Sequence, residues 1–171
     1  MLFSIEEINR FPLEEFTATI GWVFEHSAWV AERAWHRRPF VSCAHLSERM
    51  NGEVAAASMD EKLALLRAHP DLGTRAKISP GSAVEQAGAG LDRLTADEYV
   101  RLLGLNGAYR EKFGFPFLYA VKGSDKVAIL EALERRLRAD REEEFAEALR
   151  QVYRIARFRL EGVVRPGKDT P

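Results

Sequence analysis

The sequence predicts an all-α fold, a single-domain bundle of about seven or eight helices, on three observations. Ser/Thr-x-x-Glu patterns that start helices occur at Ser4 with Glu7, Ser58 with Glu61, Ser82 with Glu85, and Thr95 with Glu98. Apolar residues recur at three- and four-residue spacing, most clearly between Asp140 and Gly162. The one strand-like stretch, Phe115-Pro116-Phe117-Leu118-Tyr119-Ala120-Val121, contains a proline and has no partner run. It therefore reads as an extended connector between helices.

The elements follow in order. Ser4 opens a first helix, and Pro12 suits the first turn of a second that runs toward Ile20. A short helix spans Ala28 to Arg37 and stops before Pro39. Another covers Ala44 to Ala57. Met59 to Ala68 is helical and ends at His69-Pro70, because proline keeps the residue before it out of the helical region. Residues 71–81 read as a loop, with a short helix from Ser82. Thr95 to Phe113 is a long helix stopped by Gly114. Ser124 to Arg138 and Asp140 to Gly162 complete a domain over 1–165, followed by a short tail at 166–171.

A chain of 171 residues can bury a substantial core, and its 46% hydrophobic and 30% charged content excludes a wholly disordered protein. The net charge of −1 gives no electrostatic case for nucleic acid or an anionic membrane as partner. No apolar run approaches the roughly 18 residues that span a bilayer. Glu6 and Glu7 follow close on Met1, and no basic segment of a secretory signal precedes them. The end of the chain carries no peroxisomal address. The single cysteine, Cys43, excludes an internal disulfide framework and fits a reducing compartment. A cytoplasmic location is expected.

Two polar residues interrupt apolar helix faces. On the last helix Phe145, Leu149, Val152, Ala156, Leu160 and Val163 share a stripe, and Arg159 lies within it. A buried guanidinium requires an anion or a wet cleft. The residues favour an internal ion pair or snorkelling at the end of the helix, and the alternative is a forked anchor for a substrate carboxylate. On the helix from Thr95, Asn106 lies among Tyr99, Leu102, Leu103, Tyr109 and Phe113. Its expected role is to tether a neighbouring backbone segment, with Phe115–Val121 the candidate.

Of the histidines, His69 is the most informative. Pro70 restricts its backbone, and imidazole exchanges protons near neutral pH. The plain alternative is a histidine bonding the last carbonyls of its helix. His26, His36 and His45 show no metal-ligand spacing, so no metal is expected. Ser82 and Glu85 are expected to be spent on a helix cap, although a helix start also favours anions. Beyond Gly114-Phe115-Pro116, the backbone N–H groups from Phe117 onward are not obviously consumed by secondary structure. They could meet a planar polar ligand between aromatic walls, or be ordinary loop groups.

These segments together resemble the OHCU decarboxylases, which act on 2-oxo-4-hydroxy-4-carboxy-5-ureidoimidazoline in urate breakdown. The resemblance rests on Arg38-Pro39-Phe40, His69-Pro70-Asp71-Leu72-Gly73 and Ser82-x-x-Glu85-Gln86-x-x-Ala89-Gly90-Leu91. It continues in Leu105-Asn106-x-x-Tyr109-x-x-Lys112-Phe113-Gly114-Phe115-Pro116-Phe117 and in Ile155-Ala156-x-x-Arg159-Leu160. The blocks stand in family order from Phe11 to Gly162. The resemblance implies an all-helical homodimer that uses no metal or organic cofactor and yields (S)-allantoin and carbon dioxide. It assigns proton handling to His69 and an active-site place to Glu85. Substrate contacts fall on Pro70, Ser82, Gln86 and Arg159, and on the backbone of Phe117, Leu118, Tyr119, Ala120 and Val121. The stretch between Gly73 and Ser82 is short for the family, which leaves the part played by Arg75 and Lys77 open.

The chemistry is compatible with these residues. A conjugated imidazoline can accept the electrons left by departing carbon dioxide, so no electron-sink cofactor is required. A guanidinium can hold the carboxylate, and an imidazole beside a carboxylate can move protons to one face of the ring. Two rival readings are a metal-dependent helical hydrolase using the histidines and a non-catalytic helical binding module.

Overall fold

Most helix starts among the described residues are set by side chains that satisfy the first free backbone N–H groups, the helices that begin at Leu13 and Trp29 being the exceptions. The computed structural model describes residues 2–74 and 79–166. Arg75, Lys77 and all of the predicted tail except Pro166 lie outside these residues. Among the described residues there are nine α-helices, two short 3-10 turns and no β-strand, which is the predicted all-α class. By packing, the chain divides into two compact units, residues 1–68 with 153–171 and residues 69–152.

The first unit holds α1 (Ile5–Arg10), α2 (Leu13–Ile20), a 3-10 turn (Gly21–Val23), α3 (Trp29–Trp35), α4 (Cys43–Ala56) and α5 (Met59–Arg67). Ser4 and Ser58 form the predicted capping boxes with Glu7 and Glu61. Helix α2 packs on α3, and α3 on α4. Phe16, Ile20, Val30, Leu46, Met50, Leu65 and Leu66 are essentially removed from water. Each such side chain contributes roughly 1.5–3 kcal/mol of transfer free energy. The Arg38-Pro39-Phe40 block is structural here. Arg38 donates to the carbonyls of Trp35, Asn9 and Phe11, and the Asn9 side chain exchanges two 2.8 Å hydrogen bonds with the Phe40 backbone. Phe3 pairs with Val164 in an isolated parallel bridge.

The second unit holds α6 (Pro80–Gly88), a 3-10 turn (Leu91–Arg93), α7 (Ala96–Phe113) and α8 (Lys126–Arg136). The expected cap at Ser82 is overturned. Helix α6 starts two residues earlier, with Ser79 accepting from the Ser82 N–H and Pro80 in the first turn. Proline there has a fixed φ suited to a helix start and no N–H to satisfy, so the Ser79 start prevails. Thr95 and Glu98 do form a capping box on α7. That helix ends at Gly114, whose φ of +81° only glycine adopts without strain. Leu103 does not belong to the buried face of α7; it is 47% exposed. Lys112 caps the end of α8, donating to the Leu137 and Ala139 carbonyls at 2.8 and 2.7 Å.

Helix α9 (Arg141–Glu161) gives its first part to the second unit and its last part to the first. Its buried residues include Glu144, Ala148, Gln151, Ile155 and Arg159. Phe145 and Leu149 of the predicted stripe are only half-buried. The buried face is therefore rotated toward polar residues.

Candidate active site

Immediately after α5, residues 69–73 are tied down from several directions. His69 is buried and Pro70 half-buried. The Gly73 N–H donates to Gln86 Oε1 at 2.8 Å. The Leu72 carbonyl accepts from Asn106 Nδ2 at 2.9 Å, and Asp71 pairs with Arg110 at 2.9 Å. Asn106 is thus a tether, as expected, but for the histidine-bearing segment and not for Phe115–Val121. Gly73 has φ +71°, and a Cβ there would come within 2.4 Å of a Leu102 methyl. The positive φ favours glycine, and a larger residue would also have to displace the Leu102 methyl.

On α6, Ser82, Glu85 and Gln86 stand three and four residues apart and so share one face. Ser82 and Gln86 are buried and Glu85 is half-buried. Ser79, and not Ser82, provides the cap of this helix. Gln86, through Gly73, joins this face to the segment that carries His69.

Phe115–Val121 is a connector with no regular hydrogen-bonding pattern. Its rings pack with Tyr109 and Phe113 at centroid distances of 6.1 Å (Phe115 to either) and 5.4 Å (Phe117 to Tyr109). Two buried side chains that sequence reading missed hold its backbone. Arg136 Nη1 donates to the Leu118 carbonyl at 2.6 Å, and Gln151 Oε1 accepts from the Ala120 N–H at 2.9 Å. The expectation of unconsumed N–H groups is corrected at Ala120. For Phe117, Leu118, Tyr119 and Val121, the N–H groups donate to no described residue. Arg136 also makes a buried ion pair with Glu144, which accepts from the Tyr109 hydroxyl as well. Burial, reinforced by the bond to Glu144, pushes the Tyr109 phenol far above its ordinary pKa, so it remains a donor. The missed signal is periodic: Glu144 and Gln151 lie at two-turn spacing on the helix face that carries Arg159.

In the first unit, the polar residue on the apolar stripe has an internal partner. Arg159 Nη1 donates to Glu25 Oε2 at 2.8 Å and to the Val23 carbonyl at 3.3 Å, and both side chains are almost wholly buried. The indole of Trp22 lies 5.9 Å from the guanidinium, is 46% exposed, and is pinned by its N–H to the Thr19 carbonyl at 3.0 Å.

Among the described residues no group of three or more His, Cys, Asp or Glu is arranged to hold a metal ion. No described helix is long and apolar enough to cross a membrane. A buried histidine beside a proline, a polar α6 face and unclaimed backbone donors in one unit suit recognition of a small polar ring.

A profile of the family described as OHCU decarboxylase matches residues 9–161. The chain belongs to the OHCU decarboxylase family. It is 44% identical over 167 residues to the 2-oxo-4-hydroxy-4-carboxy-5-ureidoimidazoline decarboxylase of Halalkalicoccus jeotgali, covering 98% of this chain and 95% of that one. It is also 44% identical over 169 residues to the uric acid degradation bifunctional protein PucL of Bacillus subtilis. That match covers 99% of this chain but only 34% of the longer bifunctional protein. A crystal structure of an (S)-allantoin synthase superposes with a TM-score of 0.76 at 34% identity, covering 95% of this chain and 54% of that one. The motifs that carry the family resemblance all fall inside the matched span.

Proposed function

We propose that the protein is a carboxy-lyase of urate catabolism that converts 2-oxo-4-hydroxy-4-carboxy-5-ureidoimidazoline to (S)-allantoin and carbon dioxide. The observation that carries the reading is the match to a relative named for this activity along 95% of that relative's length.

Each residue then has a chemical task. Arg159, oriented by Glu25, takes the substrate carboxylate. His69 moves the proton, and its restricted backbone, braced through Leu72 and Gly73, fixes where the imidazole delivers it. Glu85 sets the tautomer and basicity of that imidazole. Ser82, Gln86 and Pro70 line the ring, and the backbone N–H groups of Phe117, Tyr119 and Val121 donate to its carbonyl oxygens. Loss of carbon dioxide leaves an electron pair in the conjugated ring, and one-sided protonation sets the handedness of allantoin. The support for these roles is that Ser82, Glu85 and Gln86 share one face of α6, that Gln86 ties this helix to the His69 segment, and that N–H donors of the connector remain unclaimed by described residues.

The protein acts in the cytoplasm as a homodimer; both assignments rest on the family likeness, and light scattering of the purified protein tests the second. The activity is tested by generating the substrate freshly from urate, adding the protein and following circular dichroism. A fast-growing signal of one allantoin enantiomer is expected. A signal no faster than the spontaneous decay rejects the reading.

A further inference from the structure

Hydrogen bonding along the connector alternates. The Leu118 carbonyl and the Ala120 N–H are both taken, by Arg136 and Gln151. The N–H groups of Phe117, Tyr119 and Val121 donate to no described residue. In an extended chain, residues two apart direct their backbone polar groups to one edge, and the residues between them serve the other. The connector is thus clamped along the edge of Leu118 and Ala120, which leaves the edge of Phe117, Tyr119 and Val121 for a ligand.

The clamp is itself fixed. Gln151 Nε2 donates to Glu147 at 2.6 Å, so its oxygen is the atom that meets Ala120. Arg136 is held by Glu144 on one side and lies 4.6 Å over the Phe117 ring on another. Glu144 is oriented in turn by the Tyr109 hydroxyl. A buried ion pair contributes little net stability compared with apolar packing of the same volume, so stability alone does not account for this arrangement.

We infer that Arg136 and Gln151 are positioning residues for substrate recognition: they bond Leu118 and Ala120 on one edge of the connector so that the other edge presents its N–H groups to the ureido and ring carbonyls. Neither residue touches the substrate. The inference rests on the proposed decarboxylase reading.

The test compares two variants of Gln151 with fresh substrate. Gln151→Glu keeps an oxygen for the Ala120 N–H but sets a carboxylate against Glu147. Its melting temperature falls while KM stays within about twofold of the parent. Gln151→Met loses the acceptor, and its KM rises about tenfold, the worth of one well-placed hydrogen bond, with kcat changed much less. Arg136→Lys keeps the charge opposite Glu144 but gives up the forked reach to Leu118, and it is read in the same way should Gln151→Met not fold. In amide NMR spectra, (S)-allantoin shifts the resonances of Phe117, Tyr119 and Val121 in the parent and much less in Gln151→Met. If KM rises in both Gln151 variants in step with lost stability, or in neither, the inference is overturned. If the parent itself leaves the substrate to decay spontaneously, the decarboxylase reading fails instead.

Discussion

Arg159 and Glu25 lie 134 positions apart in the chain and meet at 2.8 Å with both side chains nearly excluded from water. Removing either partner strands a charge in a poorly solvated place. Glu25→Ala is expected to lower stability by about 3–5 kcal/mol, measured by urea unfolding. Arg159→Lys keeps the charge and loses the planar fork, so KM for the carboxylated substrate should rise more than kcat falls. Unchanged kinetics in Arg159→Lys would remove the carboxylate from its assignment.

His69→Asn keeps the residue near its size and deletes the titrating imidazole. A loss of kcat of about 10²-fold or more is expected, measured by circular dichroism of the product. Full-rate formation of optically active allantoin by this variant would be incompatible with proton transfer by His69.

Asn106 holds the Leu72 carbonyl at 2.9 Å from the next long helix. Asn106→Ala leaves a buried acceptor without its partner, at a cost of about 1–3 kcal/mol by denaturant unfolding. Activity should fall at a temperature where the variant is still fully folded, because the brace on the His69 segment is gone. Retention of parental kcat there would show that the segment holds its position without the tether.

Acid stability depends on the capping carboxylates. The hydrogen bond from Arg33, with further bonds from Ser58, holds the Glu61 carboxyl at about 2 against an ordinary 4.5. A carboxyl whose folded pKa is depressed adds stability above its unfolded pKa and loses it as the pH falls toward the folded one. The contribution of Glu61 is therefore complete above about 4.5 and disappears as the pH falls to about 2. Glu61→Gln should unfold at a lower urea midpoint than the parent at pH 6, and the gap should narrow at pH 3. A gap of equal size at both pH values would contradict the assignment.

What was legible in the sequence was local. Ser4, Ser58 and Thr95 start helices because their hydroxyls reach N–H groups three residues on, and Gly114 stops one because only glycine takes its φ easily. The helix ends and the extended connector follow from such short-range rules, whereas the roles of the candidate site residues came only from the family resemblance. Even so, two nearby serines competed to cap α6, and Pro80 tipped the choice to Ser79.

By itself, then, the sequence determined an all-α chain, its helix boundaries to within a few residues, and the motifs that carry the family resemblance. Tertiary structure alone decided the partners of the buried polar groups. Asn106 meets Leu72 across 34 positions, Arg159 meets Glu25, and Gln151 and Arg136 take one edge of the connector. Helical periodicity shows which residues face inward, since that depends on rotation about one axis. Which donor meets which acceptor depends on how separate helices pack, and a buried polar group accepts any partner that packing brings within reach.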